Sequence, residues 1–328
     1  MENQEKCHSL SKNKWRIPYI DVAKGILILL VVYDHLPDVY MYLLNLSNYH
    51  IELLDEWQWI FKLFFMPAFF CITGMCSNFN KQLRPFLLSN IKSLLFPNII
   101  WGLLLGTKAG VVILHGGAYW FLSALFVSKM IYYCVIRISD KALLRFLILL
   151  CLVFIGFALN GIPEKYDIWY FHYAFCLCIF LEIGKYVRLM NDKKLLLSSV
   201  LYVLLCICIY KVGIHKPIVA LGCGCKIHEV PMYILSAYMG TCMIVLISKK
   251  INTNKLLEFF GKESLLFYIF QIKVMLFIST AYLSNYSLNN MSSVLLFLLV
   301  VFILSIIILS IISYILETKY LRFLIGKF

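Results

Sequence analysis

The chain has 328 residues, 62% of them hydrophobic and 14% charged, with a mean hydropathy of +0.85. That is too apolar for a soluble domain, and it marks an integral membrane protein. A net charge of +13 in a soluble protein would point to nucleic acid. Here the bases fall in alternate connections between apolar runs, which membrane topogenesis explains without a nucleic-acid partner.

Met1 to Trp15 is polar, carries Lys6, Lys12 and Lys14, and has no short apolar core ahead of a small-residue cleavage site. It reads as part of a cytoplasmic tail, 1–19, and not as a signal peptide. Hydropathy predicts an all-α fold, a polytopic membrane helical bundle of about ten transmembrane helices. The predicted spans are 20–44, 57–78, 88–106, 112–136, 143–159, 167–187, 194–212, 230–248, 263–283 and 293–315. Residues 20–315 then form one transmembrane domain in contact with the lipid bilayer, and 316–328 a second tail. One set of connections is basic, with Lys12, Lys14 and Arg16, then Lys81 and Arg84, Arg137 and Lys141, Arg188 and Lys193, Lys249 and Lys250, and Arg322 and Lys327. The opposite set holds only Lys108, Lys165, Lys216 and Lys226, with Asp38, Glu52, Asp55 and Glu56 in its first member. This bias puts both termini in the cytoplasm.

The first span opens Asp21-Val22-Ala23-Lys24-Gly25, continues through Ile26 to Tyr33, and reaches Asp34-His35. Lys24 and His35 fall on nearly the same helix face, about 16 Å apart along the axis, with Ile28 and Val31 between them. An ionisable side chain inside a span is costly and usually faces a protein or water-filled interior, so His35 is the first candidate for chemistry. Imidazole titrates near neutral pH, and Asp38, three residues on, can face it, whereas the adjacent Asp34 cannot. Pro37 removes a backbone donor and predicts a kink beside the histidine. Lys24 also suits a positive-inside anchor paired to Asp21.

Farther along, Thr73 and Gly74 would let another helix approach closely, and Pro67 would loosen the backbone. Trp120 follows the flexible Gly116-Gly117 and suits an interfacial belt. His172 and Glu182 share the sixth span on different sides; Glu182 is within reach of Lys185 for an ion pair, and the shallower His172 can touch an acceptor. Ser264 reads as a helix cap. The twelve cysteines lie mostly in apolar runs and give no disulfide framework. Cys223-Gly224-Cys225 with His228 lacks zinc spacing, and no metal is expected.

Together these stretches resemble the acyltransferase-3 superfamily. Lys24 through His35 is similar to its first-helix motif, a basic residue and then a histidine, with lysine where many members have arginine. The charge is kept and the bidentate fork lost. Phe65-Met66-Pro67 through Thr73-Gly74, Lys92-Ser93-Leu94-Leu95-Phe96-Pro97, Tyr119-Trp120-Phe121-Leu122-Ser123-Ala124-Leu125-Phe126 and Gly261-Lys262-Glu263-Ser264-Leu265 through Gln271 follow in the family's order. The branch most resembled contains the fucose 4-O-acetylase-like membrane O-acetyltransferases. Gln271 stands where the family often has histidine; a glutamine can orient a polar group but cannot shuttle a proton at neutral pH.

The resemblance implies an acyltransferase of the bacterial inner membrane moving an acyl group from cytoplasmic acyl-CoA, acetyl-CoA being the first expectation, to a hydroxyl of an envelope or lipid-linked saccharide. His35, with Asp38, would be catalytic. Lys24 and Lys92 would meet the CoA phosphates, and Trp120, His172 and Gln271 the acceptor. The rival reading is a transporter or flippase for a saccharide or small anion, with Lys24, His35, Lys129 and Lys273 along its path, although inverted repeats are not evident. A structural or sensory membrane protein comes third. Acceptor, acyl length and homo-oligomerisation stay open.

Overall fold

The computed structural model of the protein describes residues 17–37, 39, 52–159, 167–213, 226–286, 288, 291–318 and 320–327. Helix accounts for all its regular structure, with no strand among the described residues. Among the described residues nine stretches are long and apolar enough to cross a bilayer, from Trp57–Cys76 to Met291–Leu316. The expected first span is α1, Pro18–Asp34, whose 17 residues end where Pro37 interrupts the hydrogen-bond ladder. The polytopic all-α bundle is therefore present, and the protein is a multi-pass membrane protein.

Several spans expected as single rods are broken. The second is α2, Glu52–Lys62, followed by α3, Phe65–Cys76; Pro67 falls in the first turn of α3, where a missing N–H costs least. The third is α4, Leu83–Asn90, a π-helical turn over Ile91–Leu95, and α5, Phe96–Leu104. Pro97 cannot donate to the Ser93 carbonyl four residues back, so the ladder shifts, and the Phe96 N–H reaches Ile91 O instead. The fourth is α6, Ala109–His115, then α7, Trp120–Ile138, parted by Gly116 and Gly117 at φ +69° and +142°. Next come α8, Ala142–Leu159, α9, Phe171–Leu177, α10, Ile179–Leu189, and α11, Asp192–Val212. The chain finishes with α12, Val230–Ile251, the short α13, Lys255–Lys262, then α14, Ser264–Leu283, and α15, Met291–Leu316.

The organising helix is α1, which packs on α13, α12, α14 and α3. Glycines make the closest crossings possible. A Cβ on Gly74 of α3 would stand 2.1 Å from Leu181 O of α10, and one on Gly184 of α10 would stand 2.0 Å from Cys71 O of α3. Two backbones touch there without side chains between them, as Gly74 foretold from sequence. The outer faces of α11 and α15 expose leucines and isoleucines such as Leu197, Leu204, Leu299 and Ile307, as contact with lipid requires.

Candidate functional site

The stripe on α1 opens into a cavity of 210 Å³, which Lys24, Ile28 and Val31 line in successive turns. Opposite them stand Met66, Phe69 and Thr73 from α3, and Phe121, Leu122 and Leu125 from α7. The π turn contributes Ser93 and Leu94, and α14 contributes Ser264, Leu265 and Tyr268. The walls are apolar along the middle, with a lysine at one end and hydroxyls from Thr73, Ser93, Ser264 and Tyr268.

Local chemistry fixes these walls. The Phe121 N–H, one of the orphan donors of the α7 start, donates to Tyr268 Oη over 3.4 Å. Asn98 ties α5 to the same turn: its Nδ2 donates to Ser123 Oγ over 2.9 Å, and its Oδ1 accepts from the Tyr119 N–H at 2.9 Å. Gly117 lies against that amide, so close that a Cβ would stand 2.1 Å from its carbon.

His35 caps the C-terminus of α1 at φ −85°, ψ −3°, half-buried, four residues beyond the cavity-lining Val31. The kink leaves the Tyr33 carbonyl without the donor that Pro37 cannot supply, and Gln58 Nε2 donates to it over 3.3 Å. Asp34 turns away, to Lys62 Nζ at 3.3 Å. Gln271 follows Tyr268 by three residues on α14 and is buried, with Oε1 outside any hydrogen bond among the described residues. It continues the stripe of Ser264 and Tyr268 as His35 continues that of Lys24 and Val31.

The other expected residues lie elsewhere. Trp120 and His172 meet through Tyr173, at ring-centroid distances of 5.0 Å and 3.7 Å. His172 is buried, and its Nδ1 lies 2.6 Å from Asp167 Oδ2, a close polar contact without hydrogen-bond alignment. His115 Nδ1 meets the Asp167 carbonyl at 2.9 Å. Trp169 and Tyr170, both at φ 53°, form a strained corner beside this cluster. Lys92 precedes the cavity-lining Ser93, and its carbonyl lies under Gly326, where a Cβ would stand 2.1 Å away. Asp38, Cys223 and Cys225 lie outside the described residues.

Two pairings differ from the sequence expectation. Glu182 accepts from Arg145 Nη2 at 3.0 Å and from the Tyr132 hydroxyl, while Lys185 sits 4.8 Å from the Tyr132 ring centroid. Ser264 makes no cap; Glu263 precedes the helix without a side-chain cap bond, and Ser264 faces the cavity. At the mouth beside it, burial pushes the Glu263 carboxyl up to about 7 against the pull of Lys327, whose Nζ lies 3.2 Å from Glu263 Oε1.

A family model described as an acyltransferase domain matches residues 17–313. The chain belongs to the acyltransferase-3 family. No curated protein and no solved structure matches it significantly. The matched range of this acyltransferase takes in every wall of the cavity and His35. The family motifs pointed to Lys24, but Thr73, Ser93 and Tyr268 became visible as walls only in the fold. Tyr268, four residues after Ser264, carried a signal in the helical period. Among the described residues no group of three His, Cys, Asp or Glu side chains is placed to hold a metal.

Proposed function

We propose that the protein transfers an acyl group from cytoplasmic acyl-CoA to a hydroxyl of an envelope or lipid-linked saccharide at the inner membrane. The observation that carries this reading is the lysine-to-histidine stripe on α1: Lys24, Ile28 and Val31 line one cavity, and His35 is the next member of that face. An ammonium group at one end suits phosphate, an apolar middle suits a pantetheine arm, and an imidazole beyond suits proton transfer at the thioester.

In this reading His35 takes the proton of the acceptor hydroxyl as its oxygen attacks the thioester carbonyl. The C–S bond breaks, and the imidazolium returns the proton to the leaving thiolate. An acyl-histidine that the acceptor then attacks uses the same residues in two steps. Lys24 and Lys92 receive donor phosphates, and Gln271 orients a hydroxyl. Trp120 and His172, joined through Tyr173, belong to acceptor recognition, with Asp38 the partner of His35.

The test is acyl transfer by purified protein in lipid, from labelled acetyl-CoA to candidate glycans, with His35→Ala alongside. Transfer by the wild type and its loss in a folded His35→Ala variant support the enzyme. Gradient-driven uptake without transfer would replace it with the transporter.

A further inference from the structure

Lys129 has no part in the mechanism above. It stands on α7 one turn beyond Leu125, a cavity wall, and therefore on the same face. Across the cavity Lys24 stands one turn before Ile28 on α1, and its charge reaches Lys129. A third lysine joins them. The loop after α3 is clamped to α7 because the Lys81 carbonyl accepts from Tyr133 Oη at 3.0 Å and from Arg137 Nη2 at 3.0 Å. That clamp lies one turn past Lys129 and holds the Lys81 backbone against the same stretch of α7, near enough for its charge to act on Lys129. Phe86, stacked on Tyr133 at 4.6 Å, lies 5.9 Å from Lys129 Nζ and gives the ammonium group a ring face but no counter-charge.

Among the described residues no carboxylate lies within ion-pair distance of Lys24, Lys81 or Lys129. Asp21, one turn before Lys24, is buried and engaged in another contact. Like charges gathered at one mouth repel one another, and the partly buried Lys129 also bears a desolvation cost. Such a group is favoured only when an anion of several charges neutralises it. The size of the cavity says which part of a ligand meets it. At 210 Å³ it falls below the roughly 300–1,000 Å³ of sites that enclose a drug-sized ligand. A thin acyl arm fits inside, and a nucleotide stays at the mouth.

We propose that Lys81 and Lys129 join Lys24 as the receptor for the phosphate groups of a nucleotide-bearing acyl donor; this rests on the acyl-CoA reading of the cavity. Lys81 supplies an exposed surface charge and Lys129 a part-buried one, deeper, where the nucleotide ends and the arm begins.

The experiment measures equilibrium binding of CoA, dephospho-CoA, pantetheine and tripolyphosphate to the protein in lipid nanodiscs. The panel is wild type, Lys81→Gln, Lys129→Gln and Lys129→Arg. Charge-assisted contacts of this kind weaken binding by about tenfold when lost, so each Gln variant should lose about that factor for CoA and little for pantetheine. Lys129→Arg should stay within about threefold of wild type. Ligand-free Lys129→Gln should unfold at a higher temperature than wild type, because a repulsion has gone. Unchanged CoA binding in both Gln variants, or pantetheine binding that falls in step with CoA, overturns the proposal. If wild type ignores CoA yet binds tripolyphosphate with the same lysine dependence, the cation cluster stands and the acyl-CoA reading falls. If it binds neither, both fall.

Discussion

Gly261 rests on the backbone of Asp21: a Cβ at Gly261 would stand 1.9 Å from the Asp21 carbonyl oxygen, and one at Gly25 would stand 2.1 Å from Leu257 O. The reciprocal contact fastens α13 along the first turns of α1, one turn from Lys24. It sets the approach of α14, whose first residues Ser264 and Leu265 form the wall facing Lys24. The glycines shared by two family motifs are thus neighbours in space, and the cavity depends on their having no side chain.

Substitution at either position should therefore damage the site through packing. Gly261→Ala and Gly25→Ala are expected to cost about 1–3 kcal/mol, the usual range for overpacking. Gly110→Ala, with nothing within 4 Å of its Cβ position, should stay within about 0.5 kcal/mol of wild type. Unfolding midpoints in mild detergent check the ranking, and equal midpoints for all three variants would contradict it.

The kink at His35 predicts a coupling between Gln58 and Pro37. Gln58→Leu removes one of two donors to the half-buried Tyr33 carbonyl, the His35 N–H being the other, at a cost of about 0.5–1.5 kcal/mol. Pro37→Ala restores a backbone donor to that carbonyl, so Gln58→Leu should cost less in that background. The double-mutant cycle measures the difference; strict additivity would show that Gln58 does not serve the kink.

How much of this was legible beforehand depends on how far apart the partners lie in the chain. Lys24, Ile28 and Val31 share one helix and His35 caps it, so periodicity alone put them on one face, and the apolar windows gave the bundle. Gly74 could be read as a close-packing site because small residues have few other uses within a span. Ser264 was misread as a cap because a serine before an apolar run satisfies that pattern whether or not its side chain turns inward. The π turn at Ile91–Leu95 left only Pro97 as a trace. The Asp167–His172 contact and the three-lysine mouth join separate elements, which no local pattern encodes.

The mouth also predicts a pH response. Glu263 has its pKa raised by burial from 4.5 to about 7, so the folded protein holds a proton that the unfolded chain releases. Its contribution to stability is complete below about 4.5 and declines as pH rises through 7. Glu317 is shifted the other way, lowered by its contacts with Lys327 and Glu263 despite a desolvation cost that acts upward; its contribution is present above its unfolded value and lost as pH falls. Between pH 5 and 7.5 Glu263 therefore contributes a downward slope. The unfolding midpoint should fall across that window in wild type and flatten in Glu263→Gln, with thermal scans at fixed ionic strength as the check. An equal slope in both proteins would assign it to another group.

The exchange of partners at Glu182 gives the last prediction. Its carboxylate is buried at 1% exposure, against 17% for Arg145, and it also accepts from the hydroxyls of Tyr132 and Tyr186. Arg145→Met removes the positive partner and leaves a charge without compensation inside the bundle, which costs about 3–5 kcal/mol. Arg145→Met with Glu182→Gln removes both charges and keeps an acceptor for the Tyr132 hydroxyl, so most of that loss should return. Lys185→Met should cost little, since Lys185 rests on the rings of Tyr132 and Phe79 and holds no ion pair with Glu182 among the described residues. Unfolding midpoints of the three proteins decide the matter: if Lys185→Met were as damaging as Arg145→Met, the pairing along α10 expected from sequence would be the true one.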